Sequence, residues 1–321
     1  MRAFDFAAPH DVAGALDLAD DSSAFLAGGT TLVDLMKLEV MTPEQVIDIN
    51  RLPLRGIRQE PDGLRLGALE RMEDAARHPD VAGRYPVISQ ALLLSASPQL
   101  RNMASLGGNL LQRTRCGYFR DVSTPCNKRA PGSGCPALHG DNRGHAVLGT
   151  SDSCVATHPS DLAVALVALD ASVRLRGADG ERTVPLADFY LRPGDTPHRE
   201  NVLRPGELVT EIVVPDLPWA ASSAYVKVRD RQSYEFALAS AAVAVDLRDG
   251  RVRDARVAVG GVGTVPWRLP AVEAALRAGE SHEAAAALAA EGARPLAGNA
   301  FKVTLAQRAI LRALAELAER R

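Results

Sequence analysis

Apolar and polar positions along the chain mark out strands and helices with two different periods. From Ser23 the run S-A-F-L-A-G-G-T-T-L-V-D-L-M-K-L sets a short apolar stretch before a glycine pair, two hydroxyls and a spaced apolar face. That order predicts strand, tight turn and helix start. Q-V-I-D-I-N and G-L-R-L-G-A carry the β-branched and alternating signals of two further strands, with turn residues around Pro53 and Pro61. A helical stretch, Y-P-V-I-S-Q-A-L-L-L-S-A-S, leads through R-N-M-A-S-L-G-G-N-L-L into a loop-like segment rich in Gly, Pro, Asn and Ser. Order resumes at H-P-S-D-L-A-V-A-L-V-A-L, where Ser160 can cap a helix beginning near Asp161, and A-S-V-R-L-R with G-A-D-G reads as strand and turn. L-P-W-A-A-S around Trp219 breaks the pattern. Three strand-like runs follow, S-A-Y-V-K-V-R, A-S-A-A-V-A-V-D-L and V-R-D-A-R-V-A-V-G-G-V, and then an Ala-rich helical tail with Leu305, Ile310, Leu314 and Leu317 at helical spacing. The expected class is α+β, ending in a meander sheet covered by helices.

At 321 residues with 46% hydrophobic and 24% charged positions, the chain has the length for two or three domains and the composition of a globular protein. No run of eighteen apolar residues occurs, so no membrane insertion is expected. A formal charge of -2 supplies no field for a phosphate backbone, and nucleic acid is not an expected partner. The N-terminal M-R-A-F-D-F lacks an export signal, which by its own sequence places the chain in the cytoplasm.

Two glycine-rich elements carry candidate chemistry. Ala27 to Thr31 offers consecutive backbone N–H groups and two hydroxyls at a strand-to-helix turn, either an ordinary turn or a nest for phosphate oxygens. Ser105, Gly107, Gly108 and Asn109 form a second such element, so that two nests could hold the two phosphates of one dinucleotide. Neither matches the Rossmann or Walker pattern. The four cysteines, Cys116, Cys126, Cys135 and Cys154, fall in one segment at C-x9-C-x8-C-x18-C, with Arg113, Arg115, Arg120, Lys128, Arg129 and Arg143 around them. Structural zinc normally shows a C-x2-4-C pair, absent here, and disulfides are disfavoured without a secretory signal. A 4Fe-4S cluster wants four thiolates from several directions, with backbone N–H groups and cations to offset its charge, and a long basic loop provides both. His139, His145 and His158 flank the cysteines and leave a mixed Cys/His site open; His158 reads as a loop former before Pro159, and Arg101 and Arg129 as surface charges or partner-facing groups.

F-L-A-G-G-T-T-L, R-N-M-A-S-L-G-G-N, H-P-S-D, V-K-V-R-D-R-x-S-Y-E-F-A, G-G-V-G-T-V-P-W-R and G-N-A-F-K-V-T-L occur in order across essentially the whole chain. With them the chain resembles the FAD-binding medium subunit of the molybdenum hydroxylases, which include the flavin domain of xanthine dehydrogenase and the flavoprotein subunit of carbon monoxide dehydrogenase. Most members pass almost directly from Gly-Gly-Asn to Ser-Asp, so the cysteine insertion between Asn109 and Ser160 is a departure. The words C-G-Y-F-R, P-C-N-K-R, P-G-S-G-C and S-D-S-C resemble aldehyde oxidoreductase flavin subunits with an additional 4Fe-4S cluster, more than the comparable insertion of hydroxybenzoyl-CoA reductase.

The resemblance implies a two-part FAD-binding domain of the vanillyl-alcohol-oxidase-like (PCMH) type over residues 1–220, with subdomains about 1–57 and 58–220 and an insertion loop about 113–156. A carbon monoxide dehydrogenase flavoprotein-type α+β domain follows over 221–321. It implies noncovalent FAD, with Leu26, Ala27, Gly28, Gly29, Thr30, Thr31 and Leu32 and then Ala104, Ser105, Gly107, Gly108 and Asn109 around the pyrophosphate. Ser160 and Asp161 stand beside the ribityl and phosphate region, Leu208 and Val209 wall the flavin, and Tyr234 is a flavin-edge candidate. Lys227 is a cation near the isoalloxazine, unless it is a solvated strand lysine. Cys116, Cys126, Cys135 and Cys154 are the ligands of the cluster, whose loss disorders the loop between them. The implied role is electron transfer beside a small 2Fe-2S subunit and a large molybdopterin subunit in a heterotrimer, with an external electron acceptor and aldehyde oxidised to carboxylate elsewhere. The complex is periplasmic if a signal-bearing partner carries it out. A xanthine dehydrogenase or hydroxybenzoyl-CoA reductase-type complex keeps the same subunit role, and a zinc-stabilised binding protein is the reading without redox function.

Overall fold

The computed structural model describes residues 1–319. Three sheets organise them. β1 (Asp5–Ala7), β2 (Ser23–Leu26) and β3 (Gln45–Asp48) form a parallel sheet in the order β1-β3-β2, with Phe25 opposite Ile47. β4 (Ile57–Glu60), β5 (Gly63–Gly67), β6 (Ser172–Gly177), β7 (Gly180–Pro185) and β8 (Leu208–Pro215) make an antiparallel sheet in the order β4-β5-β8-β6-β7. β9 (Ser223–Val228), β10 (Ala239–Arg248), β11 (Arg251–Gly260) and β12 (Trp267–Arg268) form the expected meander, in the order β12-β11-β10-β9. β1, β4 and β7 escape the apolar pattern because they are short or mostly exposed edge strands, held by pairing more than by burial.

The helix Asp161–Ala168 is D-L-A-V-A-L-V-A, and every residue in it is buried. A helix apolar all round belongs inside a core, and this one packs against β10, β11 and the helix Pro86–Leu93. Ser160 caps it as the sequence suggests, its hydroxyl accepting from Ala163 N–H at 3.0 Å. Phe301–Glu319 lays Ala306, Ile310, Ala313, Leu314 and Leu317 over β9 and β10, with Leu305 at the margin.

The second glycine element is not the open turn expected. Leu106–Leu110 is a helical turn capped by Ser105, and its early N–H groups are all engaged. Leu106 donates to Glu70 O (3.0 Å), Gly107 to Ala68 O (2.8 Å), Gly108 to Ser105 Oγ (3.1 Å) and Asn109 to Ser105 O (2.9 Å). The cysteine segment is largely irregular but better anchored than its lack of periodicity suggests. Val147 and Leu148 donate to Val262 O, and the buried Lys302 ammonium donates to Gly144 O (2.9 Å) and His145 O (3.0 Å). Among the described residues no helix is long and apolar enough to cross a membrane.

Candidate functional site

β2 delivers the chain into Ala27–Thr31, and Gly29 takes the left-handed φ of +71° that turns it into the helix Leu32–Lys37. The N–H groups of Gly28 to Thr31 find no acceptor among the described residues. Of the two expected nests, this one alone keeps free donors, and its residues line a cavity. Gly28 abuts the other element: a Cβ built on it would stand 2.0 Å from Met103 O, so only glycine lets the two segments touch.

Two cavities flank that contact and share Thr30, Thr31 and Gly108. One, about 320 Å³, is walled by Ala27 to Leu32, Ser105, Gly107, Leu208 and Val209. The other, about 440 Å³, is walled by Ala104, Asn109, Asp161, Lys227 and Tyr234. Together they have the scale of a cofactor cleft. Leu26 stands behind the turn in β2, and Ser160 is set back, occupied by its capping bond and by donating to Asn109 Oδ1 at 2.5 Å.

Asp161 anchors the far wall. Its carboxylate accepts from Lys227 Nζ at 2.7 Å and Ser95 Oγ at 3.0 Å, and it lies 2.8 Å from the Tyr225 hydroxyl. Lys227 also donates to Leu94 O (3.1 Å), and its side chain is 1% exposed. It is therefore neither a solvated strand lysine nor a free cation: its charge is cancelled within the wall. Burial, with the Asp161 charge second, pushes the Tyr225 hydroxyl well above its ordinary pKa, so it stays neutral beside the carboxylate. Tyr225 and Lys227 lie two apart on one face of β9, a period-two signal the sequence contained for Tyr225 as well.

A second charge group closes the same cavity. Arg120 grips Asp34 with two bonds (2.9 and 3.1 Å), and Arg115 adds a third (2.9 Å), which holds the Asp34 carboxyl below its usual range, Arg120 contributing most. The Arg115 guanidinium lies 5.0 Å from the Phe236 ring, and its buried Nε–H has no partner.

The basic residues of the insertion thus do not all surround the cysteines. Arg113 pairs with Glu200 (2.6 Å), Arg143 with Asp230 (2.7 Å), and Arg129 donates to the carbonyls of Tyr118, Phe119 and Thr124, which makes it an internal brace. Arg101 is likewise neither a surface nor a partner-facing charge: it is buried against Glu73 (2.6 Å) and the carbonyls of Leu93 and Ser95. Each cation follows the nearest carboxylate or carbonyl.

Cys116, Cys126, Cys135 and Cys154 nevertheless line one small cavity, with Lys128 and His145 among its other walls, and no disulfide joins them. Burial pushes the Cys116 thiol up to about 11 and raises Cys135 and Cys154. Such thiols give up their protons only to a strongly bound cation. His145 Nε2 lies 3.2 Å from Cys116 Sγ, and its buried Nδ1 has no partner. His158 sits apart, edge-on to Tyr190 at 4.4 Å, and burial pushes its pKa down to about 3. Among the described residues no three His, Cys, Asp or Glu side chains are arranged to hold a single metal ion.

Known proteins share this architecture. Residues 2–217 match the FAD binding domain in molybdopterin dehydrogenase, and residues 223–317 the CO dehydrogenase flavoprotein C-terminal domain. The aldehyde oxidoreductase FAD-binding subunit PaoB of Escherichia coli is 51% identical over 294 residues, covering 91% of this chain and 90% of that protein. The glyceraldehyde dehydrogenase medium chain of Sulfolobus acidocaldarius is 31% identical over 255 residues, 79% of this chain and 73% of that one. The solved carbon monoxide dehydrogenase of Hydrogenophaga pseudoflava superposes with a TM-score of 0.77 at 28% identity, covering 99% of this chain and 98% of its counterpart. Matches to both family models that together span nearly the whole chain, on a fold that sets a free-donor turn against a cleft of cofactor size, make the chain a FAD-binding subunit of the molybdenum hydroxylase family.

Proposed function

We propose that this subunit serves a molybdenum-dependent aldehyde oxidoreductase, receiving electrons from a large molybdopterin subunit by way of a small 2Fe-2S subunit and passing them through FAD to an external acceptor. FAD supplies, when bound, a centre that exchanges electrons singly or in pairs. The chain's own residues do the holding: the free N–H groups of Gly28 to Thr31 bind the pyrophosphate, and the Asp161–Lys227–Tyr225 wall fixes the shape of the cleft. Aldehyde oxidation belongs to the partner subunit, and the compartment is that of the assembled complex.

The same reading gives Cys116, Cys126, Cys135 and Cys154 to a 4Fe-4S cluster. The observation that supports it is four cysteines, two buried and two half-buried, drawn from a 39-residue stretch, around one cavity without a single-ion arrangement. The 51% likeness to an aldehyde oxidoreductase subunit favours the aldehyde over other substrates.

The assembled complex tests both parts. It is expected to release FAD on acid precipitation, to oxidise an aromatic aldehyde with an artificial acceptor, and to lose about four irons per complex in the Cys116→Ser, Cys135→Ser double variant. Unchanged iron in that variant, or zinc in its place, removes the cluster. Activity on purines alone removes the aldehyde assignment and leaves the family standing.

A further inference from the structure

The larger cavity carries a charge that the family resemblance does not allot. Lys227 is matched one to one by Asp161, and Arg231 by Glu235 at 3.5 Å. Asp34 is shared by two guanidiniums, Arg115 and Arg120, so one positive charge is left over at that wall. Arg120 spends both ends of its fork on Asp34. Arg115 gives it a single bond, keeps a buried Nε–H without a partner, and lies against Phe236.

We infer that Arg115, one residue ahead of Cys116, is the cation that faces the pyrimidine edge of the FAD isoalloxazine and stabilises the reduced flavin. The inference rests on reading the cleft as the FAD site. The ring system, and not the phosphates, is assigned to the larger cavity because Gly28 and Gly29, with free N–H groups that suit phosphate, line only the smaller one, which also holds Leu208 and Val209 and so sets them away from the ring they were expected to wall. The cavity that Arg115 lines carries apolar and aromatic walls, Met72, Leu100, Tyr234 and Phe236, of the kind a flat ring packs on, with Phe236 against Arg115 itself. Negative charge that develops on the N1 and C2 carbonyl edge during reduction then meets an uncancelled guanidinium charge. Lys227, buried in its ion pair, holds the wall that carries the ring.

Arg115→Gln in the assembled complex separates these roles, since Gln retains a hydrogen bond toward Asp34 while Arg120 keeps that carboxylate paired. FAD content is measured by acid release, and the flavin midpoint potential by spectroelectrochemistry at the flavin band. The expected result is full FAD with the potential moved negative by about 30 mV or more, which is a tenfold loss in preference for the reduced form in a two-electron couple. Arg115→Lys restores most of the shift. An unchanged potential with FAD bound overturns the inference, and so does loss of FAD from Arg115→Gln, which makes Arg115 a phosphate anchor. A wild-type complex without FAD overturns the reading of the cleft itself.

Discussion

Gly28→Ala is the sharpest perturbation the fold offers, because it adds one methyl where two backbones touch. The new Cβ would stand 2.0 Å from Met103 O, 2.7 Å from Met103 C and 2.9 Å from Ala104 Cα, whereas ordinary contacts begin near 3.4 Å. All three neighbours are backbone, so no side chain can swing aside. Met103 and Ala104 have to retreat by about 1.4 Å, the gap between the first distance and an ordinary contact. That movement pulls on Met72 N–H to Ala104 O (3.0 Å) and on the Arg71 bond to Met103 O. Two strained hydrogen bonds at about 0.5 to 1.5 kcal/mol each, with overpacking of about 1 to 3 kcal/mol, give a destabilisation of roughly 2 to 6 kcal/mol. The same shift parts the free donors of Gly28–Thr31 from the opposite wall. Each charge-assisted bond to phosphate that is lost costs about 1.5 to 3 kcal/mol, or roughly ten- to a hundredfold in affinity. Thermal unfolding and FAD retention on dialysis read the two effects. Gly108→Ala is the comparison: its Cβ meets only the Ser105 Oγ, at 2.9 Å, a side-chain atom that can turn away at the loss of its cap bond from Gly108 N–H, about 1 kcal/mol, without moving backbone. The variant at Gly28 should lose flavin and the one at Gly108 should keep most of it. Equal retention in both would refute the argument that contact between the two segments builds the site.

Lys302 is held by two carbonyls, and burial, with Arg143 second, pushes its pKa down to about 7 from 10.5. Between those values the unfolded chain binds the proton that the folded chain gives up, so stability rises as pH climbs from about 7 to 10.5 and falls on the way back. Melting temperatures of wild type and Lys302→Met across that window should diverge, the Met variant lacking this slope; parallel curves count against it. Ser160→Ala removes both the helix cap and the bond to Asn109 Oδ1, and a loss of about 1 to 3 kcal/mol should appear as a lower melting temperature. Retention of full stability would show that the short Ser160–Asn109 contact contributes nothing.

What could be read from the chain alone was local. Ser160 is a legible cap because its acceptor role spans three residues, and the meander is legible because β9 to β11 are apolar, Val-rich runs along their own lengths, set between turn residues. The free donors of Gly28–Thr31 follow from a glycine pair between strand and helix. The closed donors of Leu106–Asn109 do not, since two of their acceptors, Ala68 and Glu70, lie more than thirty residues away in sequence. Distance in sequence likewise hid Asp161 and Leu94, the partners of Lys227, while Arg101 and Arg129 close on carbonyls within eleven residues of themselves through an irregular backbone that no periodicity announces. A basic residue in a single sequence shows its charge but not the carboxylate or carbonyl that cancels it, and at this site cancellation decides which cation is left for a ligand.

The placement of the cysteine segment follows from the same geometry. Ser160 donates to Asn109 across 2.5 Å, so the chain leaves and re-enters the flavin-binding part at nearly one point. A loop inserted between joined ends adds little to the cost of closure, about 0.6 kcal/mol for each doubling of length, and the helices on either side keep their caps. The join also lies in the cleft wall. Gln112 and Arg115 on the outgoing strand of the loop and Pro159 on the returning one line the larger cavity, while Gln112 and Pro159 share a smaller one with Lys128 and Cys154. The insertion is therefore built into the cleft at both of its ends, and the residues that approach the cysteines are continuous with those that line the cleft.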